Sequence, residues 1–273
     1  MYLNLASYLF TELDELPTLR LGIHRAGQGL AMRGTVLLAP EGINVFVCGL
    51  ETDARAFAAY LKDDARLATM AFKESWSGQH SFNRLLVKLK KEIITFRQPE
   101  FRPARKRAAS VDAASLARWL DRGSDDDGRP VVMVDTRNAF ETQVGAFAGA
   151  IDCGLASFTE LPQALAAHRE ALAGKRVVTY CTGGIRCEKA ALYLSANGVE
   201  HVVQLEGGVL KYFEQVGERH WQGELFVFDK RVSLRPDLKP GTWEQDYTSR
   251  QIRPAVRSSP RPATATDSPK ITP

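Results

Sequence analysis

Apolar and polar positions along the chain recur with two periods, and the switches between them predict the elements. Residues 3–10 read as a strand. Residues 17–32 take helical spacing, with Pro17 tolerated in the first turn and Gly34 past the end. Residues 35–38 form a short buried strand, Pro40-Glu41-Gly42 turns the chain, and 43–48 returns as a strand. Ala54, Phe57, Ala58 and Leu61 mark a helix over 51–62, and 68–74 and 85–89 add strand. The order β-α-β-β-α-β is that of a ferredoxin-like α+β sandwich, a frame that hosts many functions.

Beyond residue 110 the pattern changes to strands alternating with helices, which implies a parallel sheet with right-handed crossovers. Residues 111–120 are helical, with Asp112 as N-cap. Asp125-Asp126-Asp127-Gly128 reads as an exposed loop. Residues 131–134 are apolar at every position, as a doubly covered parallel strand requires, and lead into Asp135-Thr136-Arg137. A short helix is expected over 139–144, a strand entering at 149–152, a helix over 158–173 and a strand over 176–180. A helix over 187–197 ends at Asn197-Gly198, a suitable C-cap, and 202–205 and 209–216 follow as strand and helix around a turn at Glu206-Gly207-Gly208. After about residue 236 the apolar pattern fades, and 253–273 is rich in Pro, Ser, Thr and Ala and reads as disordered.

The chemistry concentrates where the strand at 176–180 meets its helix, in Cys181-Thr182-Gly183-Gly184-Ile185-Arg186-Cys187. A strand–loop–helix turn of this kind aims backbone N–H groups and a helix N-terminus at one sulfur, which favours the nucleophilic thiolate. The glycines let the backbone take the positive φ that a tight cradle needs. Arg186 could hold an anionic substrate at the loop mouth or pin the loop through a carboxylate. Cys187 could resolve a persulfide or form a disulfide with Cys181, or pack as a plain thiol. The plainest reading of Cys181 itself is a small core residue. Asp135 and Arg137, at the carboxyl end of their strand, stand where open α/β sheets place their sites, and could pair with each other or with Arg186.

A cysteine with an arginine five positions on is similar to the active-site loop of rhodaneses, sulfurtransferases that carry sulfur as a cysteine persulfide. Cysteine phosphatases have one residue more in the loop, which widens it for phosphate. Five stretches together resemble one family closely: residues 34–44 with Glu41-Gly42-Ile43-Asn44, residues 88–95, Asp135-Thr136-Arg137-Asn138 with Glu141, the loop 181–190, and residues 205–212. The chain over about 1–230 is thereby identified as a member of the rhodanese-domain tRNA uridine hydroxylases. The resemblance implies oxygen-dependent conversion of the wobble uridine of tRNA to 5-hydroxyuridine, with Cys181 as the persulfide-forming residue, tRNA as partner and molecular oxygen as co-substrate. The sequence carries no flavin, haem or non-haem iron signature of its own, and the cofactor stays unknown. A plain sulfurtransferase fed by a small sulfur donor is the alternative. The chain departs from the family after Asn44, where Val45-Phe46-Val47-Cys48 replaces small residues, and it lacks a cysteine over 234–273 where many members have one. At Ala146-Phe147 it lacks the His of generic rhodaneses, as the hydroxylases do.

Length and charge refine this. The 273 residues suffice for about two domains. The expected division is a ferredoxin-like (acylphosphatase-like) domain over 1–97, a basic linker over 98–109, a rhodanese domain over 110–230 and a largely disordered extension over 231–273. A net charge of only +4 confines any nucleic-acid site to a local patch. Such a patch exists: Lys88, Lys90, Lys91, Arg105, Lys106 and Arg107 form a stripe that either is solvated or contacts tRNA phosphates. Four cysteines without paired spacing, five scattered histidines, no membrane-length apolar run and no basic leader predict free thiols, no metal site, no membrane span and a cytoplasmic protein.

Overall fold

The computed structural model describes residues 1–246 and 251–255. Its N-terminal part runs β1 (Tyr2–Phe10), α1 (Leu16–Gly29), β2 (Arg33–Ala39), β3 (Gly42–Leu50), α2 (Glu51–Asp63), β4 (Lys73–Ser77) and β5 (Leu85–Leu89). The sheet order is β4-β1-β3-β2-β5. The first four strands are antiparallel neighbours in the ferredoxin-like order, and β5 joins β2 in parallel as an added edge. Alternation sends Leu3, Leu5, Val36, Val45 and Val47 to one face, where they bury against Ile23 of α1 and Phe57 of α2. Each fully buried side chain of this size contributes about 1.5–3 kcal/mol. The opposite face, with Ala6, Tyr8, Asn44 and Phe46, turns toward the second half of the chain and walls a cleft there.

The strand expected at 68–74 lies later, at Lys73–Ser77. Leu67 and Met70 are buried from successive turns in which Leu67 N–H donates to Asp64 O and Met70 N–H to Leu67 O, so an apolar run set by turns reads as strand in the sequence.

The second sheet has the order β6-β11-β10-β7-β9, all parallel: β6 (Ser110–Val111), β7 (Val131–Asp135), β9 (Ile151–Asp152), β10 (Arg176–Tyr180) and β11 (Val202–Leu205). Separately, β8 (Gly145–Phe147) pairs antiparallel with β12 (Trp221–Gly223). The helices of this half are α3 (Ala113–Arg122), α4 (Ala139–Thr142), α5 (Leu161–Ala166), α6 (Arg169–Leu172), α7 (Ile185–Ala196) and α8 (Gly208–Gln215). Asp112 caps α3 by accepting from Ser115 N–H. The single helix expected over 158–173 is a 3₁₀ turn at Phe158–Glu160 followed by α5 and α6. Pro162 explains the restart, since a residue without N–H fits only a first turn. The acidic loop is also not wholly exposed. Asp125 is buried and accepts from Arg176 Nε at 2.7 Å and from the backbone N–H groups of Asp127 and Arg129. Burial would raise its pKa, but these bonds lower it to about 2.

The two halves are stitched together. Phe96 stacks on Phe158 at 4.7 Å, and Phe101 meets Tyr193 edge-on at 5.5 Å, so the start of the basic connection packs on the second domain. Phe10, Ala39, Ile93 and Ile185 form a small apolar cluster across the joint. Described chain continues past residue 231, into the extension expected to be largely disordered. β13 (Leu225–Phe226) pairs with β14 (Ser233–Leu234), and β15 (Trp243–Gln245) with β16 (Ile252–Pro254). Ser233 and Leu234 are fully buried, and Arg231 donates to Ser75 Oγ at 2.8 Å, tying this segment back to the first domain. Of the tail expected to be disordered, residues 256–273 lie outside the described residues.

Candidate active site

β10 delivers Cys181 to the carboxyl end of the parallel sheet, and α7 starts four residues later. The cradle needs glycine at two places, one in this turn and one beneath it. Gly184 has φ +102°, and a Cβ there would strike the Tyr8 hydroxyl at 2.8 Å. Gly208, at φ +67°, lies so close beneath the loop that a Cβ would meet Cys181 O at 2.5 Å. The start of α8 then supports the loop from below, with Val209 N–H donating to Cys181 O and Leu210 N–H to Thr182 O, each at 3.0 Å. The Glu206-Gly207-Gly208 turn is therefore part of the cradle, a role its sequence does not advertise.

Within the cradle Gly184 N–H donates to Cys181 Sγ at 3.2 Å. Cys187 Sγ lies 3.8 Å from Cys181 Sγ and 2.9 Å from Gly184 O, to which it donates. Both thiols are buried and free. Burial alone would raise the Cys181 pKa; the Cys187 thiol, the Arg186 guanidinium and backbone amides reverse this and lower it to about 5. Cys187 shifts the other way, raised by burial and by the neighbouring sulfur. The pair is thus a thiolate beside a thiol whose one proton is within reach of either Gly184 O or the Cys181 sulfur. A folded-state pKa below the ordinary thiol range keeps Cys181 ionised at neutral pH and returns it to the thiol as pH falls through about 5. Alkylation of Cys181 by iodoacetamide should rise through that region and level off before pH 7. A rate still climbing between pH 8 and 9, about the range of an unperturbed thiol, would contradict the cradle.

Arg186 is pinned rather than open to substrate. Its guanidinium engages both carboxylate oxygens of Glu141, Nη2 to Oε2 at 2.7 Å, and Thr182 Oγ1 lies 3.5 Å from the same carboxylate. Glu141 reaches this position from the first turn of α4, where its Oε1 also accepts from Asn138 N–H at 3.1 Å. Of the two pairings open to Asp135 and Arg137, the structure shows them bonded to each other, with Arg137 Nε 2.9 Å from Asp135 Oδ1. Arg137 is fully buried, donates to Gly145 O at 2.7 Å and lies over the Tyr180 and Trp221 rings. Phe147 completes that aromatic group, edge-on to Tyr180, Tyr212 and Trp221. These groups support the strand ends under the loop.

The first turn of α7 faces the N-terminal domain. Glu188 accepts from the Tyr8 hydroxyl at 2.9 Å. Lys189 Nζ reaches Glu41 Oε2 and Glu92 Oε2, each at 2.8 Å, and Ile94 O at 3.2 Å. Two motifs far apart in sequence, Glu41-Gly42-Ile43-Asn44 and Cys187-Glu188-Lys189, are therefore two halves of one joint. Between them opens a cavity of about 420 Å³, with Cys181, Thr182, Gly183 and Arg186 on one side and the helix-free face of the N-terminal sheet on the other. Lys73 of β4 borders it, with its ammonium 5.2 Å from the Tyr8 ring centre. Lys88, Lys90, Lys91, Lys106 and Arg107 are exposed, and Arg105, also exposed, pairs with Glu12 at 3.1 Å. Among the described residues no group of three or more His, Cys, Asp or Glu side chains is placed to hold a metal ion, and no helix is long and apolar enough to cross a membrane.

Comparison with known proteins follows the same division. Residues 2–93 match the UPF0176 acylphosphatase like domain and residues 113–215 the rhodanese-like domain. The chain is 54% identical over 236 residues to the tRNA uridine(34) hydroxylase of Variovorax paradoxus, covering 86% of this chain and 90% of that one. It is 50% identical over 258 residues to the protein of the same name from Cupriavidus taiwanensis, covering 94% and 92%. With that of Ralstonia nicotianae it shares 51% over 249 residues, covering 91% and 88%.

Proposed function

Because the chain belongs to the tRNA uridine(34) hydroxylase family, we propose that it hydroxylates the wobble uridine of tRNA and that Cys181 is the residue on which the reaction depends. The product is 5-hydroxyuridine and molecular oxygen is the co-substrate. The observation that carries the site is the thiolate cradle opening into a cavity that both domains wall. An isolated rhodanese-like domain would leave Cys181 facing solvent; here a second domain builds a substrate-sized chamber over it. Thr182, Gly183, Gly184 and Ile185 shape the cradle, Arg186 holds it through Glu141, and Asp135 and Arg137 brace the strand end beneath. The protein works in the cytoplasm, with its substrate. Nucleoside mass spectrometry of tRNA from a strain lacking the gene tests this: 5-hydroxyuridine derivatives should disappear and return with the wild-type gene, and an unchanged profile in a strain without a redundant pathway would refute it.

The lysines at the end of β5 and the arginines and lysine of the connection, exposed outside the cavity lining, supply phosphate contacts to the tRNA backbone. Replacing Lys88, Lys90 and Lys91 with Ala should weaken tRNA binding whatever its sequence. The slope of log K against log salt should flatten by about 0.7–0.9 for each phosphate that the variant no longer neutralises. A slope identical to wild type would return these lysines to a solvated strand face.

The loop itself favours a second reading, a sulfurtransferase. A backbone N–H on Sγ and a second thiol at 3.8 Å suit a Cys181 persulfide loaded from a small sulfur donor. Sulfur transfer to a thiol acceptor in the absence of tRNA, with no hydroxylation of tRNA, would select that reading.

A further inference from the structure

The cavity floor is more specific than a generic cleft. It consists of two adjacent rungs of the N-terminal sheet: Tyr8 and Leu37 flank Asn44, and Ala6 and Thr35 flank Phe46. All six side chains line the cavity. Period-two alternation puts them on one face, because their chain neighbours Leu5, Val36 and Val45 fill the core under α1 and α2. In the Ala6–Phe46–Thr35 rung the ring has a small side chain on either side and is half-buried at the cavity wall, where a flat partner could meet it. A βαββαβ sheet that displays aromatics on its helix-free central strands is a recurring way of stacking single-stranded bases. The volume of about 420 Å³ lies within the range of small-ligand sites.

Asn44 adds direction. It is 7% exposed, and its Nδ2 donates to Ile93 O at 3.3 Å. Reversing the amide would set its oxygen against that carbonyl, so the orientation is fixed. Among the described residues no group donates to its Oδ1. An oriented acceptor without a protein donor, on a residue that lines the floor of the chamber, suits a ligand that brings an N–H. Uracil presents one at N3, between two carbonyls. Cytosine has a bare lone pair at N3, which in the same register would meet the amide oxygen lone pair to lone pair.

We propose that this interdomain cavity is a single-nucleotide site that takes the wobble uracil out of the anticodon stack, with Phe46 as its stacking platform and Asn44 as the acceptor for uracil N3–H. The assignment rests on the hydroxylase reading for which base enters. Extruding a base from a loop costs little compared with a duplex, and the chamber repacks its face and satisfies its edge.

The test uses the full chain and an anticodon stem-loop RNA carrying 5-iodouridine at position 34, irradiated in the near ultraviolet and mapped by peptide mass spectrometry. The expected adduct falls on the peptide holding Phe46. An adduct elsewhere, or none while the RNA is bound, overturns the pocket. Hydroxylation of unmodified tRNA by the same preparation is measured separately. If that activity is absent the hydroxylase reading fails, whereas the adduct alone decides whether a base enters here. Asn44→Ala supplies the specificity readout. Wild type should favour the U34 over the C34 stem-loop by about tenfold to a hundredfold, and the variant should bring that ratio close to one. Equal weakening toward both RNAs would make Asn44 a structural residue and overturn its role as reader.

Discussion

Cys181→Ser is expected to abolish 5-hydroxyuridine formation, by about 10³-fold or more, while leaving the protein folded. Serine is close to cysteine in size, and its oxygen can accept from the same Gly184 N–H, so the fully buried cradle keeps its shape. What disappears is the charge. The cradle lowers the Cys181 pKa by means of Cys187, Arg186 and backbone amides against the penalty of burial, whereas an alcohol stays protonated under the same influences. A structural cysteine would behave in the opposite way: the serine variant would lose about 1 kcal/mol of stability and keep its activity. Complementing a deletion strain with each allele and analysing tRNA nucleosides separates the two. Restored 5-hydroxyuridine in the serine strain would remove Cys181 from the mechanism. Thermal unfolding of the purified variant guards against reading a folding failure as a catalytic one.

The loop was legible in the sequence because everything it needs is local. A strand, two glycines and a helix start lie within a dozen residues, and their propensities agree. The ferredoxin-like order was legible for the same reason, although the fourth strand lies later than its apolar run suggests. What the sequence hid is whatever depends on distant partners. Glu141 meets Arg186 across 45 positions, and nothing in the chain between them marks it as the carboxylate that fixes the loop. Asp125 reads as one of three exposed acids until Arg176 arrives from the adjacent strand. Alternation along β1, β2 and β3 says which side chains share a face, but not that the face opposite the helices becomes the floor of an active site. The basic stretch between the domains looks like a free linker, yet Phe96 and Phe101 fasten its start to Phe158 and Tyr193.

Lys189 shows how the hidden joint connects to the chemistry, and its replacement should have the largest effect on stability. Its side chain is 1% exposed and its ammonium lies between Glu41 and Glu92. Lys189→Met keeps much of the packing but leaves two carboxylates facing each other in a partly buried site. Removing one partner of such a cluster costs about 3–5 kcal/mol, which should lower Tm by on the order of 10 °C. The effect should depend on pH in a defined sense. Burial pushes the Glu92 pKa up, but the bonds from Lys189 and Phe96 N–H outweigh it and leave the pKa lowered in the folded state. A lowered folded pKa contributes stability at neutral pH that is lost as pH falls through the carboxylate range. The gap between wild type and Lys189→Met should therefore narrow in acid. Adding Glu92→Gln to Lys189→Met should recover part of the loss, because an amide tolerates the site without a cation. A Tm within about 2 °C of wild type would mean that the cluster is solvated and does not hold the domains. Activity should fall as well, by a route that can be traced through the contacts. Glu41, held by Lys189, accepts from Ile93 N–H at 2.8 Å, and Ile93 O in turn orients the Asn44 amide. The helix that carries Cys187 thus fixes, through one lysine, the residue placed to read the base on the opposite wall of the cavity.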